Sequence, residues 1–262
     1  MELKNNLEQL NPKNRKRLNV FVKHVGRGIS RFSMIDDNDS ILIGVSGGKD
    51  SLALSLALKL RQKWVPIQYN LCAVQIEWRE FPFTEEEKRS IALFFQDLDI
   101  PFYTVKAHVY PSSFKHEFNC YLCSRNRKRI LFNEAVKLGI KKIALGHHLD
   151  DIIETTLLNI FFRGEVSTMM PVQSFFKGKI EIIRPMCEVH EKEIKRAAEI
   201  VNLPIVPIRC PKKGVSQRND IKEIIKQASR LNKNVKENIY HAPWHINREY
   251  LPFAVEGRDK LE

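Results

Sequence analysis

An apolar run, Ile41-Leu42-Ile43-Gly44-Val45, meets Ser46-Gly47-Gly48-Lys49-Asp50-Ser51, which leads at once into Leu52-Ala53-Leu54-Ser55-Leu56-Ala57-Leu58. The first segment has the length of a buried strand and the last reads as a helix, so the chain must turn sharply between them. Two adjacent glycines let backbone N–H groups close around an anion, and the helix that follows aims its positive dipole end at the same spot. The segment therefore predicts a phosphate cradle. Lys49 supplies a point charge, and Ser46 and Ser51 supply hydroxyl donors. A Walker A loop is excluded, because it needs Gly-x-x-x-x-Gly-Lys-Ser/Thr. An ordinary glycine-rich turn between strand and helix is the simpler alternative.

The pattern beyond this loop alternates. Strands are predicted at 41–45, 67–77, 101–106, 141–146 and around 180–184, and helices at 51–63, 85–98, 125–138, 190–201 and 217–231. Thr84 and three glutamates open the second of these helices, Gly139 ends the third, and another helix follows Asp151 with Ile152, Ile153, Leu157, Leu158, Ile160 and Phe161 on its apolar positions. Such alternation implies an α/β fold with a parallel sheet, and the loops after residues 45, 77, 106 and 146 should converge on one pocket at the carboxyl ends of the strands. Residues 1–35 read as an N-terminal helical region, with Asn11 capping a helix at Pro12 and Leu18, Phe21, Val22, Val25 and Ile29 on one face. The expected organisation is this region, a nucleotide-binding domain over 36–200, and a basic helical region over 201–262 that ends in the aromatic and histidine-rich Tyr240-His241-Ala242-Pro243-Trp244-His245.

With 43 Lys and Arg against 31 Asp and Glu, the chain carries a net charge of +12, which calls for a polyanionic partner, nucleic acid foremost. The charge clusters at Arg125, Arg127, Lys128 and Arg129, and again at Lys212, Lys213, Arg218, Lys222, Lys226, Arg230, Lys233 and Lys236. No apolar run approaches the ~20 residues of a bilayer span, and the first residues do not read as a leader, so the expected location is cytoplasmic with no membrane partner.

Five cysteines without a secretion signal point to reduced thiols used for metal binding or catalysis. Cys72 falls in an apolar strand pattern and Cys187 has no evident partner. Cys120-Tyr121-Leu122-Cys123 opens a basic helix, and Cys210 follows Ile205-Val206-Pro207-Ile208. A helix start flanked by arginines lowers thiol pKa, and soft sulfur suits zinc or an iron–sulfur cluster. Zinc wants four ligands and would have to recruit a histidine or Cys187. Three thiolates on a 4Fe-4S cluster would instead leave one iron open to an exogenous sulfur or substrate.

The glycine loop resembles the signature of the PP-loop ATP pyrophosphatases, which hold pyrophosphate while AMP passes to a carbonyl oxygen. Taken in order, Ser46-Gly47-Gly48-Lys49-Asp50-Ser51, Cys120-x-x-Cys123-Ser124-Arg125, Gly146-His147-His148-x-Asp150-Asp151 and Cys210 resemble the TtcA family of tRNA 2-thiocytidine synthetases, from about residue 15 to Trp244-His245. The resemblance implies a Rossmann-like, adenine nucleotide alpha hydrolase-like domain with N- and C-terminal helical additions. It implies ATP and Mg2+ as cofactors, tRNA as substrate, and adenylation of O2 of cytidine 32 before sulfur replaces that oxygen. It also implies a 4Fe-4S cluster on Cys120, Cys123 and Cys210, with a cysteine desulfurase as sulfur donor; whether the enzyme is a homodimer stays open. Relatives often carry the third cysteine in a C-x-x-C of its own, whereas here Lys213 stands at the second position. That departure weighs against any mechanism needing the extra thiol and leaves room for another target base.

Within this reading Lys49 and the loop amides take the pyrophosphate, with Ser46, Gly47, Gly48, Asp50 and Ser51 completing the nucleotide site. Asp50 positions the loop or reaches magnesium; Asp150 and Asp151 hold magnesium through water or cap the following helix. His147 and His148 are open between proton transfer and packing. The alternatives are a lysidine synthetase-like enzyme, which needs no cysteine centre, a 2-thiouridine synthetase-like enzyme, which usually adds N-terminal zinc knuckles, and a zinc-containing RNA-binding module without catalysis.

Overall fold

The computed structural model describes residues 2–110, 120–207, 209–210 and 217–250. Most of the loop expected from His108 to Asn119, that is 111–119, and Lys212 and Lys213 of the basic run, lie outside the described residues. Chain order is α1 (Glu2–Glu8), α2 (Pro12–Arg31), β1 (Asp39–Val45), α3 (Lys49–Arg61), β2 (Tyr69–Trp78), α4 (Glu85–Asp97), β3 (Phe102–Ala107), α5 (Cys120–Lys137), β4 (Lys142–Ala144), α6 (Leu149–Arg163), β5 (Val172–Phe175), β6 (Ile180–Ile183), α7 (Glu191–Val201), α8 (Gln217–Leu231) and α9 (Val235–His241).

The strands form one six-stranded sheet in the order β3-β2-β1-β4-β6-β5, parallel throughout except for β5, which runs antiparallel to β6. The α/β class and the parallel sheet expected from the sequence are borne out. Strand order reverses between β1 and β4, so the crevice of an open α/β sheet opens where these two central strands end. The glycine loop leaves β1 at that point and Gly146-His147-His148 leaves β4 beside it.

Ile41, Leu42 and Ile43 are each fully buried because both faces of β1 are covered: Ile41 and Ile43 join the larger apolar cluster, Leu42 the smaller one around α5. That is why the strand reads as an unbroken apolar run rather than an alternation. The helix that follows is apolar all round for a related reason. Leu52, Leu54, Leu56 and Leu58 are fully buried, with α2 and α7 both packed on α3, and each such leucine contributes about 1.5–3 kcal/mol.

The local signals work as the sequence suggests. Asn11 accepts the Asn14 N–H at 2.8 Å, with Pro12 beginning α2. Thr84 and Glu87 cap α4 reciprocally, and Gly139 follows α5 at φ +66°. Three elements were not foreseen: the break that separates α1 from α2, the short strand β5, and α9 in what the sequence presents as a tail. Leu3, Phe21, Leu54, Val201 and Tyr240 all belong to one apolar cluster, so the N- and C-terminal helices share the core of the central domain.

Two glycines allow the crevice to close up. Gly47 has φ +81°, a left-handed conformation that side chains resist. A Cβ on Gly146 would stand 2.9 Å from the Asp50 carbonyl carbon and 3.0 Å from the Ser51 nitrogen, so the loop after β4 lies directly on the first turn of α3. Because those neighbours are backbone, Gly146→Ala is expected to cost about 1–3 kcal/mol through overpacking, read as a lower denaturation midpoint.

Candidate active site

The glycine loop is held in shape by its own serines. Ser51 Oγ accepts the Ser46 N–H at 3.2 Å and donates to the Gly48 carbonyl at 3.0 Å, while Ser46 Oγ accepts the Gly48 N–H at 3.3 Å. Ser51 is buried, so its hydroxyl serves the turn, and the exposed Ser46 faces the crevice mouth.

Lys49, on the first turn of α3, reaches two carboxylates, Asp50 at 3.0 Å and Glu191 at 3.1 Å. Burial disfavours its charge, but those two acids outweigh burial and hold its pKa above the ordinary lysine value. The Asp50 Oδ1 contact is a charge contact off the line of a hydrogen bond; the bond itself runs from Lys49 Nζ to Oδ2 at 3.2 Å, leaving Oδ1 buried without a donor. Glu191, the first residue of α7, also gives its N–H to Asp150 Oδ2 at 2.7 Å. The N-terminal ends of α3, α6 and α7 therefore meet around Lys49, Asp150 and Glu191, which concentrates helix-dipole positive potential at the exit of β1.

Asp150 and Asp151 are both engaged inside the protein. Asp150 is buried and pairs with Lys236 of α9; burial raises its pKa, yet Lys236 and the Glu191 N–H prevail and hold the carboxyl below its usual value. Asp151 accepts the His148 N–H at 3.0 Å at the start of α6 and pairs with Arg218 at 3.1 Å. Of the two roles open to these aspartates, the capping and bridging contacts are the ones seen here.

His147 is half-buried and accepts a hydrogen bond on Nδ1 from Arg184 Nε at 3.3 Å. Loss of solvent around the ring, then the Arg184 charge, drives its pKa down to about 4, so it is neutral at physiological pH with its proton on Nε2. His148 is 5% exposed, and its ring nitrogens stand between Asp50, Asp150 and Asp151 at 3.6–3.9 Å, with Nδ1 lacking a hydrogen-bond partner among the described residues.

The cysteines approach this crevice from two directions. Cys120 and Cys123 lie on the first turn of α5, which Asn126 ties to the end of β3 by bonds of 2.9 Å to the His108 and Val109 carbonyls. Cys210 comes from the other side: the Val206 N–H bonds the Gly47 carbonyl at 2.9 Å, and Arg209 grips the Pro82 carbonyl at 2.7 Å and Glu87 at 2.8 Å. The segment that carries Cys210 is thus laced to the phosphate loop itself.

Cys123 is half-buried, and its thiol pKa is raised, first by burial and then by Cys210, Cys120 and Glu80 acting against Arg127. This corrects the expectation that helix start and arginines would lower it: Arg127 also sits over the Trp78 ring, 5.9 Å from its centroid, and that one cation does not outweigh burial. As they stand, no three His, Cys, Asp or Glu side chains among the described residues are arranged to hold a metal. By its chemistry alone, a donor set of three soft thiols suits an iron–sulfur cluster better than tetrahedral zinc, which wants a fourth ligand. Cys72 and the buried Cys187 belong to the packed interior.

Sequence reasoning missed Glu191, Lys236 and Glu154. A glutamate at the start of a predicted helix and a lysine in a basic run carried the only signals for the first two. Glu154, buried on α6, is pushed up to about 7, chiefly by burial, with Arg218 and Lys222 each 3.7 Å away and too exposed to offset it.

A glycine phosphate loop at the switch point of a parallel sheet, with a charged lysine beside it, defines a nucleotide-binding α/β protein of the PP-loop kind. A family model described as a PP-loop domain matches residues 11–227. The tRNA-cytidine(32) 2-sulfurtransferase of Polynucleobacter asymbioticus is 36% identical over 236 residues, covering 87% of this chain and 76% of that protein. The protein of the same name from Delftia acidovorans is 35% identical over 229 residues, covering 86% and 72%. The U34-tRNA thiolase NcsA from Methanococcus maripaludis, solved with its 4Fe-4S cluster, shares the fold with a TM-score of 0.69 at 22% identity, over 87% of this chain and 78% of that one. The chain belongs to the tRNA-cytidine(32) 2-sulfurtransferase family, the TtcA family, of PP-loop proteins.

The buried Glu154 yields a pH test. Its native carboxyl keeps a proton up to about pH 7, whereas the unfolded chain releases it near the usual ~4.3. The native state therefore binds more protons between these values, and stability from this group falls as pH rises through that window. Glu154→Gln is expected to gain about 1–3 kcal/mol at pH 8 and little at pH 4.5, measured from denaturant midpoints at the two pH values.

Proposed function

We propose that this chain is a cytoplasmic, ATP-dependent tRNA sulfurtransferase that adenylates O2 of an anticodon-loop cytidine, position 32, and replaces that oxygen with sulfur. The observation that carries the reading is the Val206 N–H to Gly47 carbonyl bond of 2.9 Å, which couples the Cys210 segment to the phosphate loop. Activation and sulfur delivery need to be neighbours, because an adenylated base is short-lived in water, and this bond joins the two machineries through backbone alone.

A pyrimidine C2 oxygen is a poor leaving group, so it must first be activated. The cytidine O2 attacks the α-phosphorus of ATP and pyrophosphate departs; Lys49 and the amides of Gly47 and Gly48 receive the departing charge. Donors fixed in the fold before the reaction cost no reorganisation when that charge develops. Lys49 exchanges its contacts with Asp50 and Glu191 for phosphate oxygens without losing its proton. Asp50, with Oδ1 buried and lacking a donor, is the carboxylate best suited to hold magnesium. Asp150 and Asp151 act as positioning residues that fix the N-terminal ends of α6 and α7. In the second step sulfide adds at C2 and AMP leaves with the former O2, so the base carries sulfur in place of oxygen.

Cys120, Cys123 and Cys210 would hold a 4Fe-4S cluster, which when bound offers an open iron position for the incoming sulfur. Reaction of this kind requires a sulfur source, and a cysteine desulfurase is the class of partner that supplies it as a persulfide, from which a thiol reductant releases sulfide by a two-electron reduction. Arg127 and the basic α8 add the positive field that tRNA phosphates require.

The test is nucleoside mass spectrometry on tRNA from cells lacking the protein, complemented by variants. Cys120→Ala, Cys123→Ala and Cys210→Ala are each expected to abolish 2-thiocytidine and the broad visible absorbance of anaerobically purified protein. Full 2-thiocytidine in any one of them would overturn the ligand assignment, and 2-thiouridine as the missing nucleoside would overturn the choice of base. Lys49→Ala is expected to keep the visible absorbance and to lower ATP-dependent turnover at least 100-fold, in line with loss of a charge stabiliser, measured as pyrophosphate release.

A further inference from the structure

A cavity of about 1090 Å³ lies away from the glycine loop, between α2, the far end of α3, the segment around Glu188–His190, and α9. It exceeds the roughly 300–1,000 Å³ of an ordinary small-molecule site. Its walls carry two buried polar residues, each with one atom lacking a partner among the described residues: Arg61, 7% exposed, whose guanidinium meets the Tyr69 hydroxyl but whose Nη1 has no acceptor, and Tyr240, 4% exposed, whose hydroxyl has none. Buried donors without acceptors are uncommon and expensive, and two of them just behind one cavity wall would gain from an acceptor brought within reach by a small side-chain movement.

The lining has the chemistry of nucleic-acid recognition. Lys23 and Arg27 stand four residues apart on one face of α2, exposed and without a carboxylate partner among the described residues. Like charges at that spacing disfavour a helix by themselves, so the stripe is not there for α2. Gly26 lies between them and faces Arg61: a Cβ there would be at ordinary contact distance from its Nε. Trp64, half exposed, forms one side of the opening, with His241 opposite on α9. The acids present are already occupied, Glu188 by Arg31 at 2.6 Å and Glu237 by His190 at 3.3 Å.

We propose that this cavity is a second RNA subsite, which seats a backbone phosphate on Arg61 and the Lys23–Arg27 stripe and stacks an adjacent base on Trp64. The proposal rests on the tRNA reading above. A guanidinium offers a planar fork to phosphate, and an aromatic face accepts any base, so the subsite contributes affinity and orientation without reading sequence. Its place in the fold suits that task. Lys49 and Arg61 are the two ends of α3, about 18 Å apart at 1.5 Å per residue. α9 likewise offers Lys236 to Asp150 and Tyr240 to the cavity. RNA seated here would be gripped by the same two helices that frame the glycine loop.

The experiment is fluorescence anisotropy of the full chain with a labelled anticodon stem–loop RNA, across a potassium chloride series. Trp64→Ala, at a half-exposed position where folding should be retained, is expected to weaken binding about tenfold. Lys23→Gln with Arg27→Gln is expected to reduce the magnitude of the log–log salt slope by about 0.7, the share of one phosphate that is no longer neutralised. Arg61→Gln is expected to weaken binding about tenfold and Arg61→Lys to recover part of it, with ATP affinity in the absence of RNA unchanged throughout. Affinity within twofold of the parent and an unchanged salt slope in all folded variants would overturn the proposal. So would CMP or inorganic phosphate competing at the concentration at which the RNA binds. The assay needs no turnover: loss of the thiolation reading would appear as unaltered thionucleosides in the Lys49 and cysteine variants, whatever the anisotropy reports.

Discussion

The molecule depends on how closely its backbone can approach itself at the ends of β1 and β4. Gly47 takes a left-handed turn at φ +81° and Gly146 lies within about 3 Å, by its absent Cβ, of the Asp50 and Ser51 backbone. Side chains at either place would push the two loops apart. With them absent, the amides of the glycine loop, the N-terminal end of α3 and the loop after β4 share one small volume, and the Gly47 carbonyl remains free to take the Val206 N–H. The phosphate site and the cysteine segment are thus connected through main-chain atoms, whose positions change little when surface side chains do.

Electrostatics then fills that frame. The helix starts at α3, α6 and α7 bring positive potential to one point, and the acids Asp50, Asp150, Asp151 and Glu191 balance it in the absence of a ligand. Asp150 pairs with Lys236 and Asp151 with Arg218. Lys49 is shared between Asp50 and Glu191 and stands beside the loop amides, so it is the charge most readily redirected to phosphate. His147, kept neutral by desolvation beside Arg184, braces the loop after β4. A cationic imidazole there would lose solvent and face Arg184, which Asp151 offsets only in part.

The far ends of the same elements make a second surface. α3 begins at the glycine loop and ends at Arg61, and α9 touches the crevice with Lys236 and the large basic cavity with Tyr240. Membership of a family that modifies tRNA gives both faces a common polyanion to meet. No helix among the described residues is long and apolar enough to cross a membrane, and the positive faces are suited to phosphates in solution.

Much of this was legible from local sequence. A strand buried on both faces has to be apolar throughout, glycines have to stand where the backbone crowds, and Asn11, Thr84 and Gly139 set helix ends by contacts within a few residues; these features fixed the sheet class, the loop and its lysine. The short β5 escaped notice because four residues of mixed polarity gain their order only from pairing with β6, and α9 because its apolar partners lie on α6 and α8. Charge partnerships over long separations were equally invisible: nothing in the order of residues says that Asp150 meets Lys236, that Glu191 meets Lys49, or that burial with two other thiols raises the Cys123 pKa. Sequence by itself determined which chemical groups the chain carries and the turns that hold them, since those follow from short-range sterics and hydrogen bonding. Tertiary structure alone decided which groups meet and in what state of charge, because both depend on burial and on neighbours that only the folded chain brings together.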